Sequence, residues 1–270
     1  MKIKMKSLLV AMIVVSGMGV AAAADSGTRL PADQAVRNVV LVHGAFADGS
    51  GWRGVYDELT ERGYTVSVVQ NPLTSLADDV AATRRVLNRQ NGPTILVGHS
   101  YGGTVITEAG IDPKVAGLVY VSALAPDVGE STGSQFTDIP PPPAFVIETQ
   151  EDGCGFVNYQ KFKIGFAGDT SDADAAFMRD SQVPINMSIF ATQVTNAAWK
   201  DKPSWAVIAK QDNAIDPKLL RYTAKRIGAG IVEVEGSHVA FLTQPEAVAD
   251  AIDQAARQLR VKPGAIPAGW

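Results

Sequence analysis

A single cysteine, Cys154, stands among 270 residues, which excludes an intramolecular disulfide framework and leaves stability to a hydrophobic core. Its neighbours in EDGCGF are acidic and raise rather than lower a thiol pKa, so the cysteine reads as structural or incidental, not as a nucleophile. Positive charge is also in short supply. Lysine and arginine number 24 against 28 aspartates and glutamates, which leaves no basic footprint for nucleic acid. Internal repeats are absent, and the Pro140–Pro143 run is too short to be a linker. The one long apolar run, Leu8 to Val20, follows Lys2, Lys4 and Lys6 and ends in Ala21 to Ala24. It is shorter than the roughly 20 residues a spanning helix needs, so it is expected to be a secretory signal, residues 1–24, cut before Asp25. The mature chain then carries 21 basic and 28 acidic residues, a net charge of −7, with a periplasmic or secreted location and no stable membrane span. Its length suits one domain with an insertion rather than two independent cores.

What is present is an alternation of strands and helices. NVVLVHGAF, from Asn38, reads as a strand buried on both faces and ended by His-Gly. A helix follows with Trp52, Val55, Tyr56 and Leu59 at helical spacing, then the strand TVSVV, then a helix capped by Ser75 with Asp78 and Asp79 at its positive end. TILVGHSYGG is strand then helix, and VAGLVYVSAL is another strand. The rhythm breaks at Ala125-Pro126 and resumes near Ser204 with SWAVIAK. Residues 126–199 are therefore expected to form an inserted helical lid, since a structureless loop of that length is improbable in a compact domain. AGIVEVEGSH and an amphipathic helix opened by Pro245 close the chain, so that residues 36–125 and 200–263 form an α/β core, a mostly parallel sheet with helices on both faces.

In such a sheet ligands gather outside the carboxyl ends of the strands, and the residues there are His43 to Phe46, Ser100, Asp127, Asp212 and His238. Gly98-His99-Ser100-Tyr101-Gly102 fits G-x-S-x-G between a strand and a helix, and no G-K-[ST] sequence offers a phosphate-cradle alternative. A serine nucleophile needs a base, and there are three histidines. His99 is read as packing beside the turn and His43 as shaping the loop after the first strand, which leaves His238 as the base. Asp212 is the carboxylate expected to orient it, with the chain order Ser, Asp, His; Asp216 reads instead as a helix N-cap before Pro217, and Asp127 as a weaker rival. The amide of Tyr101 and one from the loop after the first strand, at Ala45 with Phe46 as the neighbouring candidate, are expected to bind an oxyanion. No metal or cofactor is called for.

These motifs resemble the α/β-hydrolase superfamily from about Val39 onward. LVHGAFADGSGW, GHSYGG and GSHVAFLTQPE are similar to bacterial esterase-like members related to plant methyl-ester esterases and hydroxynitrile lyases. The resemblance implies an eight-stranded sheet with one antiparallel strand near its start, a variable lid, and Ser100, Asp212 and His238 as a triad. The lyase branch carries threonine and lysine where this chain has Gly44 and Val239, so hydrolysis of a small-molecule ester through an acyl-enzyme is the expected chemistry. A cofactor-free perhydrolase or haloperoxidase-like activity and a non-catalytic binding protein are the alternatives. Phe145, Phe156, Phe162, Phe166, Phe177, Met178 and Phe190 read equally as a substrate pocket or as the insertion's own core.

Overall fold

The computed structural model describes residues 36–259; the expected signal, residues 1–24, and the last expected core residues, 260–263, lie outside them. The elements in chain order are β1 (Asn38–Val42), α1 (Arg53–Glu61), β2 (Thr65–Val69), α2 (Leu76–Asn88), β3 (Thr94–His99), α3 (Gly102–Ala109) and β4 (Val115–Val121). Then come β5 (Ile147–Thr149), β6 (Cys154–Val157), α4 (Phe162–Phe166), α5 (Asp172–Asp180) and β7 (Ile185–Asn186). The chain continues through β8 (Ser204–Ala209), α6 (Pro217–Arg226), β9 (Gly230–Val234), α7 (Ala240–Thr243) and α8 (Pro245–Gln258).

Six strands form one sheet in the order β2-β1-β3-β4-β8-β9, and every pairing in it is parallel. Residue character explains the order. β1, β3 and β8 are buried along their whole length, as apolar strands covered by helices on both faces must be. β2 and β9, at the edges, are exposed at Thr65, Gly230, Ile231 and Glu233. Along β8 the two-residue period divides the side chains. Ala206 and Ile208 pack with Leu219, Leu220 and Ala224 of α6, while Trp205, Val207 and Ala209 join the main core. The helix ends follow their capping residues: Ser75 Oγ accepts from the Asp78 amide, Asp216 accepts from Lys218 ahead of Pro217, and Pro245 opens α8.

Six of the expected eight strands lie among the described residues, and the antiparallel strand expected near the start is not among them. One expectation is corrected: the segment between β4 and β8 is not simply helical. It contains a three-stranded antiparallel sheet, β5-β6-β7, beside α4 and α5. Its strands are two to four residues long, too short to show the alternation by which a strand is read from sequence. No helix among the described residues is long and apolar enough to cross a membrane.

Leu96 lies at the middle of β3, fully buried between Val40 of β1 and Leu118 of β4. Leu96→Ala is expected to cost about 2–5 kcal/mol through lost burial plus a residual cavity. Urea unfolding measures it, and a loss under about 1 kcal/mol would mean that this layer can collapse around the vacancy.

Candidate active site

The chain runs from β1 out to β2, crosses back to β3 and then proceeds to the other edge, so β1 and β3 flank the point where strand order reverses. The loops after two strands that diverge in this way leave a crevice at their carboxyl ends. His43 to Phe46 leave β1 there, and Ser100 follows β3. Ser100 has φ +54°, in the left-handed region that a non-glycine residue occupies only where its surroundings impose it. The imposition is visible: the Ser100 amide donates to Val121 O (3.2 Å), and Ser100 O accepts from the amides of Gly103 (2.9 Å) and Leu124 (3.3 Å). At Gly103 a Cβ would stand 2.2 Å from Leu124 O, closer than any side chain tolerates. Gly44 is equally constrained, since a Cβ there would meet that of Ser100 at 2.8 Å.

His238 and Asp212 meet from the loops after β9 and β8. The His238 Nδ1–H donates to Asp212 Oδ2 at 2.7 Å, with both side chains buried. The other oxygen, Asp212 Oδ1, accepts from the amides of Ala214 and Ile215, each at 2.8 Å. The carboxylate is thus held by three donors, and the imidazole is fixed with Nε2 as its free acceptor. The His238 ring lies 4.6 Å from that of His99, the residue before Ser100. The Ser100 hydroxyl makes no hydrogen bond among the described residues; such bonds commonly tighten only when substrate binds.

The other two histidines are committed elsewhere. His43 Nδ1–H donates to Gly44 O (2.8 Å), its Nε2 accepts from the Asn71 amide (2.8 Å), and Asn71 Nδ2 donates to His43 O (2.9 Å). This clamps the loop after β1, and burial keeps the imidazole neutral by lowering its pKa. His99 is fully buried and donates from Nε2 to His238 O (3.0 Å). Its pKa is driven well down, by burial first and by His238 next. It therefore packs beside the turn, against Phe241 and Trp52, and supports the backbone of His238. The amides of Ala45, Phe46 and Tyr101 donate to no protein acceptor among the described residues, and Phe46 has φ +61°. Asp216 caps α6, accepting from Lys218 at 2.8 Å, and Asp127 pairs with Lys200.

The aromatic residues of the insertion divide into two groups. Phe145, Phe166 and Phe190 reach the crevice in an unbroken run of ring contacts. His238 meets Phe166 (5.1 Å), Phe166 meets Phe145 (6.2 Å), Phe145 meets Phe46 (6.2 Å), Phe46 meets Phe190 (6.3 Å), and Phe190 meets Tyr101 (6.2 Å). Phe162 backs this run by packing on Phe166 and is itself buried. Phe177 is 67% exposed and, with Met178, Phe46, Phe241 and Leu242, borders a cavity of about 230 Å³. Phe156 is half-buried and makes no ring contact among the described residues.

One buried acid was not singled out from the sequence. Its sequence context pairs Asp79 with Asp78 as charges that favour the start of a helix, but Asp79 is fully buried. It accepts from the Tyr101 hydroxyl at 2.6 Å and from the Leu73 amide at 2.8 Å. Only the run of two aspartates marked it, and nothing in that run says which one faces inward.

A parallel sheet carrying a left-handed serine turn, with a histidine–aspartate pair supplied by later strands, defines an α/β hydrolase. The chain belongs to the alpha/beta hydrolase family, whose profile matches residues 39–251. Over 244 residues it is 28% identical to the alpha/beta hydrolase nvfD of Aspergillus novofumigatus, covering 81% of this chain and 96% of that protein. A carbendazim hydrolyzing esterase of Nocardioides is 38% identical over 108 residues, 35% of this chain and 45% of the esterase. Among solved structures, a pyrethroid hydrolase from Sphingobium faniae superposes with a TM-score of 0.71 at 22% identity, covering 82% of this chain and 98% of the other.

Burial pushes the Asp79 carboxyl up to about 6 against the pull of its two hydrogen bonds. With the folded value above the unfolded one, the folded state holds the extra proton between about pH 4 and pH 6, and stability is lost as pH rises through that window. Asp79→Asn cannot ionise, so its stability deficit relative to the wild type is expected to be greatest near pH 4 and to narrow by on the order of 3 kcal/mol by about pH 7. Urea unfolding of both proteins across that range is the measurement. A deficit that does not vary with pH would contradict it.

Proposed function

We propose that the chain is a serine hydrolase cleaving carboxylic esters of small molecules through an acyl-enzyme. The observation that carries this reading is the His238–Asp212 bond at 2.7 Å, which leaves His238 Nε2 free to act as a base. Ser100 Oγ attacks the ester carbonyl as His238 takes its proton, and the Oγ–acyl bond forms. His238 then gives that proton to the departing alcohol. Water, deprotonated by the same imidazole, attacks the acyl carbon, and His238 returns that proton to Ser100 Oγ as the Oγ–acyl bond breaks and the acid leaves. The oxyanion of each tetrahedral state is held by the amides of Ala45 and Tyr101, with Phe46 next in line. Asp212 keeps the imidazole in its tautomer and stabilises the imidazolium.

The ring run from Phe166 to Tyr101 supports an apolar or aromatic substrate group beneath the insertion, which then acts as a lid. The 230 Å³ cavity beside Phe46 offers room for a further small apolar group. The buried apolar Val239 and the absence of space for a side chain at Gly44 favour hydrolysis over the lyase chemistry of the related plant enzymes. Residues 1–24 are read as an export signal, so protein recovered from an exporting host begins at Asp25, as N-terminal sequencing would determine.

Short-chain p-nitrophenyl esters should be hydrolysed and a fluorophosphonate should label Ser100. Ser100→Ala should abolish labelling and lower kcat/KM by about 10³-fold or more, and Asp212→Asn should lower kcat by about 10⁴-fold. Hydrolysis that survives in Ser100→Ala would overturn the mechanism. Failure of the probe to label the wild type would favour a binding protein, and peroxide-dependent bromination faster than ester hydrolysis would favour the perhydrolase alternative.

A further inference from the structure

Asp79 belongs to α2, away from the strand ends, yet three segments that shape the crevice meet on its carboxylate or one bond from it. Its Oδ2 takes the hydroxyl of Tyr101, the residue after the proposed nucleophile. Its Oδ1 takes the amide of Leu73, in the loop after β2. Leu73 is buried and has φ +57°, a conformation that a branched apolar residue keeps only when its neighbours over-determine it. Leu73 O in turn accepts the amide of Asn186 at 3.0 Å, and Asn186 is the residue through which β7 pairs with Cys154 of β6. On its far side the Tyr101 ring meets Phe190, also from the insertion. Removal of the carboxylate would leave a buried tyrosine hydroxyl and a buried amide without an acceptor, so the network is not interchangeable with apolar packing.

We propose that Asp79 is a positioning residue that couples the seating of the insertion, through Leu73 and Asn186, to the alignment of the Tyr101 amide beside Ser100. The catalytic half of this rests on the ester-hydrolase reading; the mechanical half does not. Asp79 touches no substrate. It acts through Tyr101, whose amide donates to the oxyanion and whose hydroxyl anchors the turn from below. The same carboxylate holds Leu73 in the conformation that presents its carbonyl to β7.

Tyr101→Phe keeps the amide and the ring and deletes only the hydroxyl. With a p-nitrophenyl ester it is expected to lower kcat about five- to tenfold with KM within about twofold, because the interaction lost acts on the transition state. Asp79→Ala, which removes both acceptor oxygens, is expected to lower kcat at least as far, and the double variant no further than Asp79→Ala, since both substitutions break the Tyr101 bond. A merely structural role would lower the unfolding midpoint without separating kcat from KM. Amide hydrogen exchange supplies an arm independent of activity. The Asn186 amide is expected to exchange about tenfold faster in Asp79→Ala and to be nearly unchanged in Tyr101→Phe, which retains the Leu73 bond. Wild-type kcat in Tyr101→Phe, additive losses in the double variant, or unaltered Asn186 exchange in Asp79→Ala would each overturn the proposal. If Asp79→Ala does not fold, Tyr101→Phe alone decides the catalytic half. If the wild type hydrolyses no ester and is not labelled at Ser100, the ester reading fails while the exchange experiment still judges the coupling.

Discussion

Backbone meets backbone at the serine turn, and the rest of the site is arranged around that contact. A Cβ at residue 103 would stand 2.2 Å from Leu124 O, and one at residue 44 would stand 2.8 Å from the Cβ of Ser100. Three chain segments, those leaving β1, β3 and β4, are thus pressed together where no side chain can intervene. The hydrogen bonds of Ser100 with Val121, Gly103 and Leu124 hold its left-handed conformation in that vice. A strained serine is stable here because its neighbours leave it no alternative. Free amides at Ala45, Phe46 and Tyr101 are a by-product of the same geometry: the chain turns too sharply for these donors to find partners of their own.

The insertion braces the loops around this crevice. Asp169, between α4 and α5, accepts from Ser237 and from Thr243 (2.6 Å), and so ties both flanks of the His238 loop. Asn213, next to Asp212, donates to Ile164 O at 3.1 Å. Arg226 of α6 meets Glu130 at 2.9 Å and Ala125 O at 2.7 Å, where the insertion leaves the sheet. The loops that carry the acid and the base are therefore braced from outside the sheet. His99 adds a brace from inside through the His238 carbonyl. The histidine and the aspartate are themselves buried, and a buried polar pair is costlier than an apolar substitute unless its groups are satisfied, as both Asp212 oxygens are. That condition makes the histidine–aspartate pair a rigid unit rather than two independent side chains.

Much of this could be read along the chain. The strands β1, β3, β4 and β8 are continuous apolar runs, and burial on both faces is the physical condition that produces such runs. Ser100, Asp212 and His238 stand just past strands, and the parallel sheet brings Asp212 and His238 into contact. The caps at Ser75 and Asp216 are local hydrogen bonds and so are local signals. What escaped was whatever depended on distant partners. β5, β6 and β7 are too short to carry a period, and their pairing depends on where β4 and β8 place the ends of the insertion. Asp78 and Asp79 are adjacent and chemically identical; the packing of α2 on α3 leaves one in solvent and the other under Tyr101.

The sequence by itself therefore determined the layering of sheet and helices and the residues that its strand ends present, because hydrophobic period and turn chemistry act over a few residues. The tertiary structure alone decided which acid is buried, which aromatic rings face the crevice and which fill the insertion, and what braces each loop. These are contacts between residues tens of positions apart, such as Asp79 with Tyr101 or Asn213 with Ile164. No local pattern specifies them, since each depends on two surfaces meeting at a distance and angle that the whole sheet sets.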